Sequence, residues 1–488
     1  MHLGIDLGTS GVKAVLTGVD GALLAQATAP LAVSTPHPLW SEQDPAAWWH
    51  AAVAALQQLG AGHDLSAVRG VGLAGQMHGA VLLDAGERVL RPAILWNDGR
   101  SGAECRDLEA AEPHSRAITG NLAMPGFTAP KLLWVRRHEP DVFARTRRVL
   151  LPKDWLRLQM TGEAMSDMSD ASGTLWLDVG RRRWSPEMLA ATDLSEGHMP
   201  RLIEGTATGG YLRPEAALAL GLPAGIGVAG GGGDNAAGAV GIGCVAPGDA
   251  FVSLGTSGVI FVSDPGFLPD PARTVHAFCH CVPGTWHRMS VILSAGAALA
   301  WIAGITGTDE ATLLAEAARE SPRDRPVFLP YLSGERTPHN NPAASGVFFG
   351  LSGSTTRAAM TLAVLEGVAF ALADGLDALE ARGGRIAKLT AIGGGSRSEL
   401  WLRILAAAMQ RTLHTAKRSD VGPALGAARL ACVSSGDASA AETFVKPAMT
   451  ARFDPCPALI EALIPRRALY RRLYPALQPM FFAPEIAE

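Results

Sequence analysis

Leu7-Gly8-Thr9-Ser10-Gly11 returns as Leu254-Gly255-Thr256-Ser257-Gly258, 247 residues further along the chain. Each copy follows a short strand-like segment, Leu3-Gly4-Ile5-Asp6 in the first and Ala250-Phe251-Val252-Ser253 in the second. Each leads into another apolar, β-branched run, Val12-Lys13-Ala14-Val15-Leu16 and Val259-Ile260-Phe261-Val262. Two strands joined by a glycine-containing turn read as a β-hairpin. Equivalent hairpins opening two roughly equal halves predict duplicated domains facing each other, residues 1–247 and 248–488. Taken alone, glycine, threonine and serine are also ordinary turn residues. The loop chemistry favours phosphate, because glycines let the backbone approach an anion and successive N–H groups with hydroxyls supply neutral donors. Two such loops on opposing domains would hold a polyphosphate from both sides.

Outward from the repeat, short apolar runs alternate with longer helical stretches, the pattern of α/β architecture. The spacing predicts a helix over 45–59, a buried strand over 68–73 ending at Gly75, and helices over 361–380 and 400–410. A strand over 388–392 runs into Gly393-Gly394-Gly395, with a helix starting near Ser398, an arrangement on which a nucleotide can lie. Residues 216–233 are uncharged and glycine-rich, which predicts a buried strand with turns rather than a membrane span.

With 488 residues, 48% hydrophobic and 18% charged, the chain is globular and too long for one core. A net charge of -4 with no long basic run argues against nucleic acid, and Arg181-Arg182-Arg183 and Arg466-Arg467 read as solvated faces. Six scattered cysteines form no disulfide framework, and Cys279-His280-Cys281 lacks zinc spacing, so packing is its expected role. The N-terminal residues carry no basic or apolar leader, which predicts a cytoplasmic, membrane-free protein.

Phosphoryl transfer needs a metal-orienting carboxylate, phosphate donors and a base for the attacking hydroxyl. Asp6, two residues before the first loop glycine, is placed to reach Mg²⁺ or, equally, to satisfy turn amides. Asp234 follows Gly230-Gly231-Gly232-Gly233, a run whose entropy cost argues for close approach of backbone to ligand. Asp234 therefore reads as a catalytic base, a role compatible with a helix cap. Gln76-Met77-His78-Gly79, at a strand end, offers a polar edge to a hydroxylated substrate.

Several segments together resemble the FGGY carbohydrate kinases across essentially the whole length. They are Gly4–Ser10, Trp40–Pro45, Gly75–Gly79, Ile94–Arg100, Phe127–Trp134, Gly233–Asn235, Ser253–Gly258 and Tyr331–Pro338. The resemblance implies a duplicated actin-like (ribonuclease H-like) ATPase fold with a cleft between the domains. It implies that Asp6 organises Mg²⁺ and the γ-phosphate, and that Asp234 accepts the proton of the sugar hydroxyl. Met77, His78 and Asn235 would hold the sugar, with Gly8, Thr9, Ser10, Gly255 and Thr256 on the phosphates. Gly296, Gly394 and Gly395 would wall the adenosine pocket. The Gln-Met-His-Gly turn favours a ketopentose over glycerol, so the implied reaction is ATP-dependent phosphorylation of D-xylulose at its 5-hydroxyl. The implied assembly is a homodimer to which the apolar C-terminal helix would contribute; separately, that helix is expected to pack back on the first domain. A sibling kinase for ribulose, gluconate or a pentitol, or an actin-like nucleotide switch, are the alternatives.

Overall fold

In the computed structural model, which describes residues 1–320, 325–417 and 422–481, both hairpins form. β1 (His2–Leu7) pairs antiparallel with β2 (Gly11–Thr17), and β3 (Leu23–Pro30) continues beyond it. On its other side β1 runs parallel to β4 (Gly70–Gly75), with Asp6 opposite Ala74. β5 (Thr208–Tyr211), β6 (Gly227–Ala229) and the two-residue β7 (Gly232–Gly233) complete a seven-stranded sheet, with β6 and β7 both on β4.

The second half repeats the plan. β8 (Ala250–Leu254) and β9 (Gly258–Asp264) are the second hairpin, and β10 (His276–Cys279) and β11 (Trp286–Ile292) extend it. β12 (Lys388–Ile392) lies parallel to β8, followed by β13 (Thr412–Ala416) and β14 (Met449–Phe453). The order is β10-β11-β9-β8-β12-β13-β14. In both sheets a parallel strand therefore ends beside the hairpin turn, the edge where ligands sit on open α/β sheets.

Among the helices, α1 (Pro45–Gly60) starts where Asp44 accepts the N–H of Ala46 and proline takes the first turn. It covers one face of the first sheet, burying Trp48 among Leu3, Ile5 and Val12. α2 (Pro152–Thr161), α3 (Met168–Ser172) and α4 (Asp234–Gly241) follow. α5 (Gly296–Thr306), α6 (Arg357–Glu380) and α7 (Glu399–Met409) belong to the second half. α6 is long and apolar enough to cross a membrane, but its most apolar stretch is 89% buried, which makes it a core helix. It packs with α7 under β8 and β12 through Val252, Leu365, Leu372 and Trp401.

α8 (Gly422–Ser434) comes from the second half yet lies on the first sheet, against β1, β4 and α4. Glycines make that approach possible. A Cβ at Gly4 would stand 1.9 Å from the carbonyl oxygen of Ala424, one at Gly72 1.8 Å from that of Ala427, and one at Gly426 1.7 Å from that of Ala237.

Three expectations are corrected. Residues 214–220 form a helix, so only the later part of the 216–233 segment is strand and turn. α9 (Pro457–Leu477) packs on α7 and α6 of the second half, not back on the first. Its Arg466 and Arg467 are not a solvated face but pair with Glu366 and Asp374 at 2.7 and 2.8 Å. The carboxylate buried on α6 at Glu366 is shared between Arg325 and, from α9, Arg466. Cys279 and Cys281 are buried in apolar packing.

Candidate active site

Three neighbouring strands of the first sheet end side by side and deliver the chemistry. β1 carries Asp6 near its end, β4 runs into Gln76-Met77-His78, and β7 runs into Asp234. The bend before β7 requires glycine at 231, where φ is 77° and a Cβ would stand 2.1 Å from the carbonyl oxygen of Leu73. Gly233 occupies the cap position of α4, and Asp234 is the first helical residue rather than the cap.

The Oδ1 of Asp234 accepts the N–H of Asn235 at 2.7 Å and its Nδ2 at 2.8 Å. Burial raises its pKa to about 6, against the lowering effect of those two bonds. Asp6 is raised further, to about 7, first by burial and then by the charge of Asp234. Its Oδ1 is a buried acceptor without a partner among the described residues. A carboxylate oxygen without a donor, beside a second carboxylate and a loop of amides, has the chemistry of a divalent-cation ligand.

His78 sits at φ 68°, a conformation a non-glycine residue holds only under constraint. Its carbonyl accepts from Lys131 Nζ at 2.8 Å and Thr128 Oγ1 at 3.1 Å. Its Nδ1 is 2.7 Å from the carbonyl of Gly173, so that nitrogen carries the proton. Burial lowers the pKa to about 3, leaving a neutral ring whose Nε2 accepts. Met77, His78, Asp234 and Asn235 line one cavity of about 260 Å³. The predicted sugar residues are thus brought together. Gln76 is not among them, because its amide is buried between Thr9 and Gln43.

Gly255, Thr256, Gly296, Gly394 and Gly395 line a second cavity of about 810 Å³, with Trp401 and Leu254. Gly255 and Thr256 are fixed by their carbonyls, which accept from Gly296 N at 2.8 Å and Ala295 N at 2.9 Å. Gly255 lines both cavities, so the second loop stands between them. In the first loop the hydroxyl of Thr9 is engaged, donating to Gln76 at 3.0 Å and accepting from Trp96 at 2.9 Å. Gly8 donates its N–H across the turn to Gly11 at 3.0 Å, and Ser10 is exposed.

Residues 1–241 match the N-terminal domain of the FGGY family of carbohydrate kinases, and residues 250–435 match its C-terminal domain. The chain belongs to the FGGY carbohydrate kinases. A xylulose kinase of Escherichia coli (strain K12) is 54% identical to it over 98% of this chain and 100% of its own length. Among solved structures, a xyloylose kinase from Brucella ovis is 52% identical with a TM-score of 0.94, covering 98% of this chain and 99% of its own. A xylulose kinase from Rhodospirillum rubrum is 32% identical with a TM-score of 0.90, over the same shares of the two chains.

In this FGGY kinase the second half also reaches the first cavity, through Ser253, Ser257, His276, Phe278 and Arg336. Burial lowers the pKa of Arg336, partly offset by Glu335, and the guanidinium in turn depresses His78 and His276. Arg336, Lys131 and Trp96 had no part in the sequence reading of the site. All three lie in segments that carried the family resemblance, Tyr331–Pro338, Phe127–Trp134 and Ile94–Arg100, which was the available signal.

Proposed function

We propose that this FGGY kinase transfers the γ-phosphate of ATP to the 5-hydroxyl of D-xylulose, giving D-xylulose 5-phosphate and ADP. The observation that carries the reading is the pair of cavities that share Gly255, one holding Asp234, Asn235, Met77 and His78, the other walled by Gly296, Gly394 and Gly395. The high identity to xylulose kinases supports the choice of sugar.

In this reading the nucleotide lies along the second cavity with its terminal phosphate over Gly255, and the sugar lies in the first. The Oδ2 of Asp234, the oxygen not engaged by Asn235, orients the 5-hydroxyl and takes its proton. The new bond forms between that oxygen and the γ-phosphorus as the bond to the ADP oxygen breaks. A carboxylate with pKa near 6 is ionised at neutral pH yet basic enough to accept a proton late in the reaction. The neutral Nε2 of His78 and the guanidinium of Arg336 are complementary acceptor and donor for the remaining sugar oxygens. Mg²⁺ would be held by Asp6 and would supply charge neutralisation on the phosphates. Thr9 and Ser10 would contribute backbone N–H groups to the γ-phosphate, while Gly8 closes the turn with its own N–H. We further infer a cytoplasmic homodimer, residues 1–247 handling metal and γ-phosphate and 248–488 the nucleotide; light scattering after size exclusion checks the dimer.

The test is a coupled ADP-release assay across D-xylulose, ribulose, gluconate and pentitols. D-xylulose is expected to give the highest kcat/KM. Asp234→Ala should lower turnover by about 10²–10⁴-fold while leaving ATP binding intact. Full turnover in that variant, or preference for another sugar, overturns the assignment.

A further inference from the structure

The glycines before Asp234 have no side chains with which to hold their own conformation, so whatever fixes the base must come from outside. Much of it comes from α3. Asp167 caps this short helix, its Oδ2 accepting the N–H of Ser169 at 2.8 Å and the Ser169 hydroxyl at 2.5 Å. With its proton given to Asp167, the Ser169 Oγ accepts the N–H of Gly233 at 3.0 Å, one residue before Asp234. Just past the other end of α3, the Gly173 carbonyl accepts from His78 Nδ1 at 2.7 Å. One turn of helix and the residue that ends it thus touch both the residue before the base and the sugar-binding histidine.

The turn is itself anchored. Lys153 Nζ stands 2.5 Å from Asp154, 2.8 Å from Asp167 and 3.1 Å from Asp170, all with fully buried side chains. Arg157, also fully buried, donates to the carbonyls of Ala229 at 2.6 Å and Gly230 at 2.5 Å. Apolar residues of similar volume would stabilise this region as well or better, since desolvating five ionisable groups consumes most of what their attraction returns. What the ionic cluster achieves that leucines would not is a fixed direction for the carbonyls of Ala229 and Gly230 and for the N–H of Gly233.

We infer that α3 is a clamp that sets the separation of Asp234 from His78, with Ser169 the positioning residue for the base and Lys153 and Arg157 its anchors. The inference rests on the reading of Asp234 as proton acceptor. Removing the Ser169 hydroxyl leaves the Gly233 N–H without its acceptor and frees the turn, and misplacing a reacting group by about 1 Å costs on the order of 10²-fold in rate. The walls of the nucleotide cavity are not in this network.

Steady-state kinetics on Ser169→Ala test it. The kcat for D-xylulose phosphorylation is expected to fall about 10–100-fold, with the KM for ATP and sugar-independent ATP hydrolysis within about twofold of the parent. An unchanged kcat overturns the inference, and so does a parallel loss of ATP hydrolysis, which marks a general structural defect. Should Ser169→Ala not fold, amide exchange in the unmodified protein decides: Gly233 is expected to exchange as slowly as the core strands, and exchange at exposed-loop rates overturns the clamp. A turnover-competent Asp234→Ala would instead sink the proposed function.

Discussion

Asp6 is a residue whose surroundings suit a ligand better than they suit the protein alone. Its pKa is about 7 against an ordinary 3.8, so the fold favours the neutral acid. The sign follows from linkage: a group with a raised folded pKa adds stability that is complete below the unfolded pKa and is lost as pH rises through the folded one. The contribution of Asp6 to the stability of the ligand-free protein should therefore be lost between about pH 4 and pH 7, and that of Asp234, raised to about 6, with it. Asp6→Asn removes the charge at nearly constant shape. It is expected to stabilise the ligand-free protein at pH 7.5 by about 1–3 kcal/mol, less than the full shift implies because water reaches the cleft. At pH 4 the gain should vanish. Calorimetry at the two pH values checks this, and the same variant should lose phosphoryl transfer. The placement of Asp6 and Asp234 at strand ends was legible in sequence because each sits beside its own glycine signal. Lys131 and Arg336 were not, because their roles exist only once residues from distant segments meet at His78.

At the scale of elements, the twin hairpins were readable because strand, turn and strand are adjacent in sequence. The seating of α8 was not. It depends on Gly4 and Gly72 in strands and Gly426 in a helix some 350 residues away, each of which reads locally as an unremarked small residue. The same holds for α9, whose partner was set by the buried Glu366 rather than by its own pattern. Gly72→Ala tests the α8 contact. Its new Cβ would meet backbone, which cannot rotate away, so the cost should be at the upper end of the overpacking range, about 3 kcal/mol or more. Urea unfolding should show a lowered midpoint. An unchanged midpoint would mean that α8 moves off the sheet at no cost.

Across the whole molecule, the first cavity is completed by Ser253, His276 and Arg336 of the second half. In the proposed reading, sugar bound there would touch both halves, and its binding energy would be available to draw them together and exclude water from the phosphoryl group. The division into two equal halves, so clear in the repeat, is incomplete in three dimensions because α8 returns to the first sheet. A fragment of residues 1–247 lacks that helix. It is expected to show no cooperative thermal transition and to bind hydrophobic dye, and a sharp transition by circular dichroism would count against this.

The seating of α8 also orders events during synthesis. The first sheet and α4 are complete in the chain by Gly241, but the helix that covers them begins only at Gly422, about 180 residues later. At roughly 5–20 residues per second, that leaves an apolar sheet face open beside the ribosome for about 10–35 s. That interval is when the nascent chain is most open to association through β1 and β4.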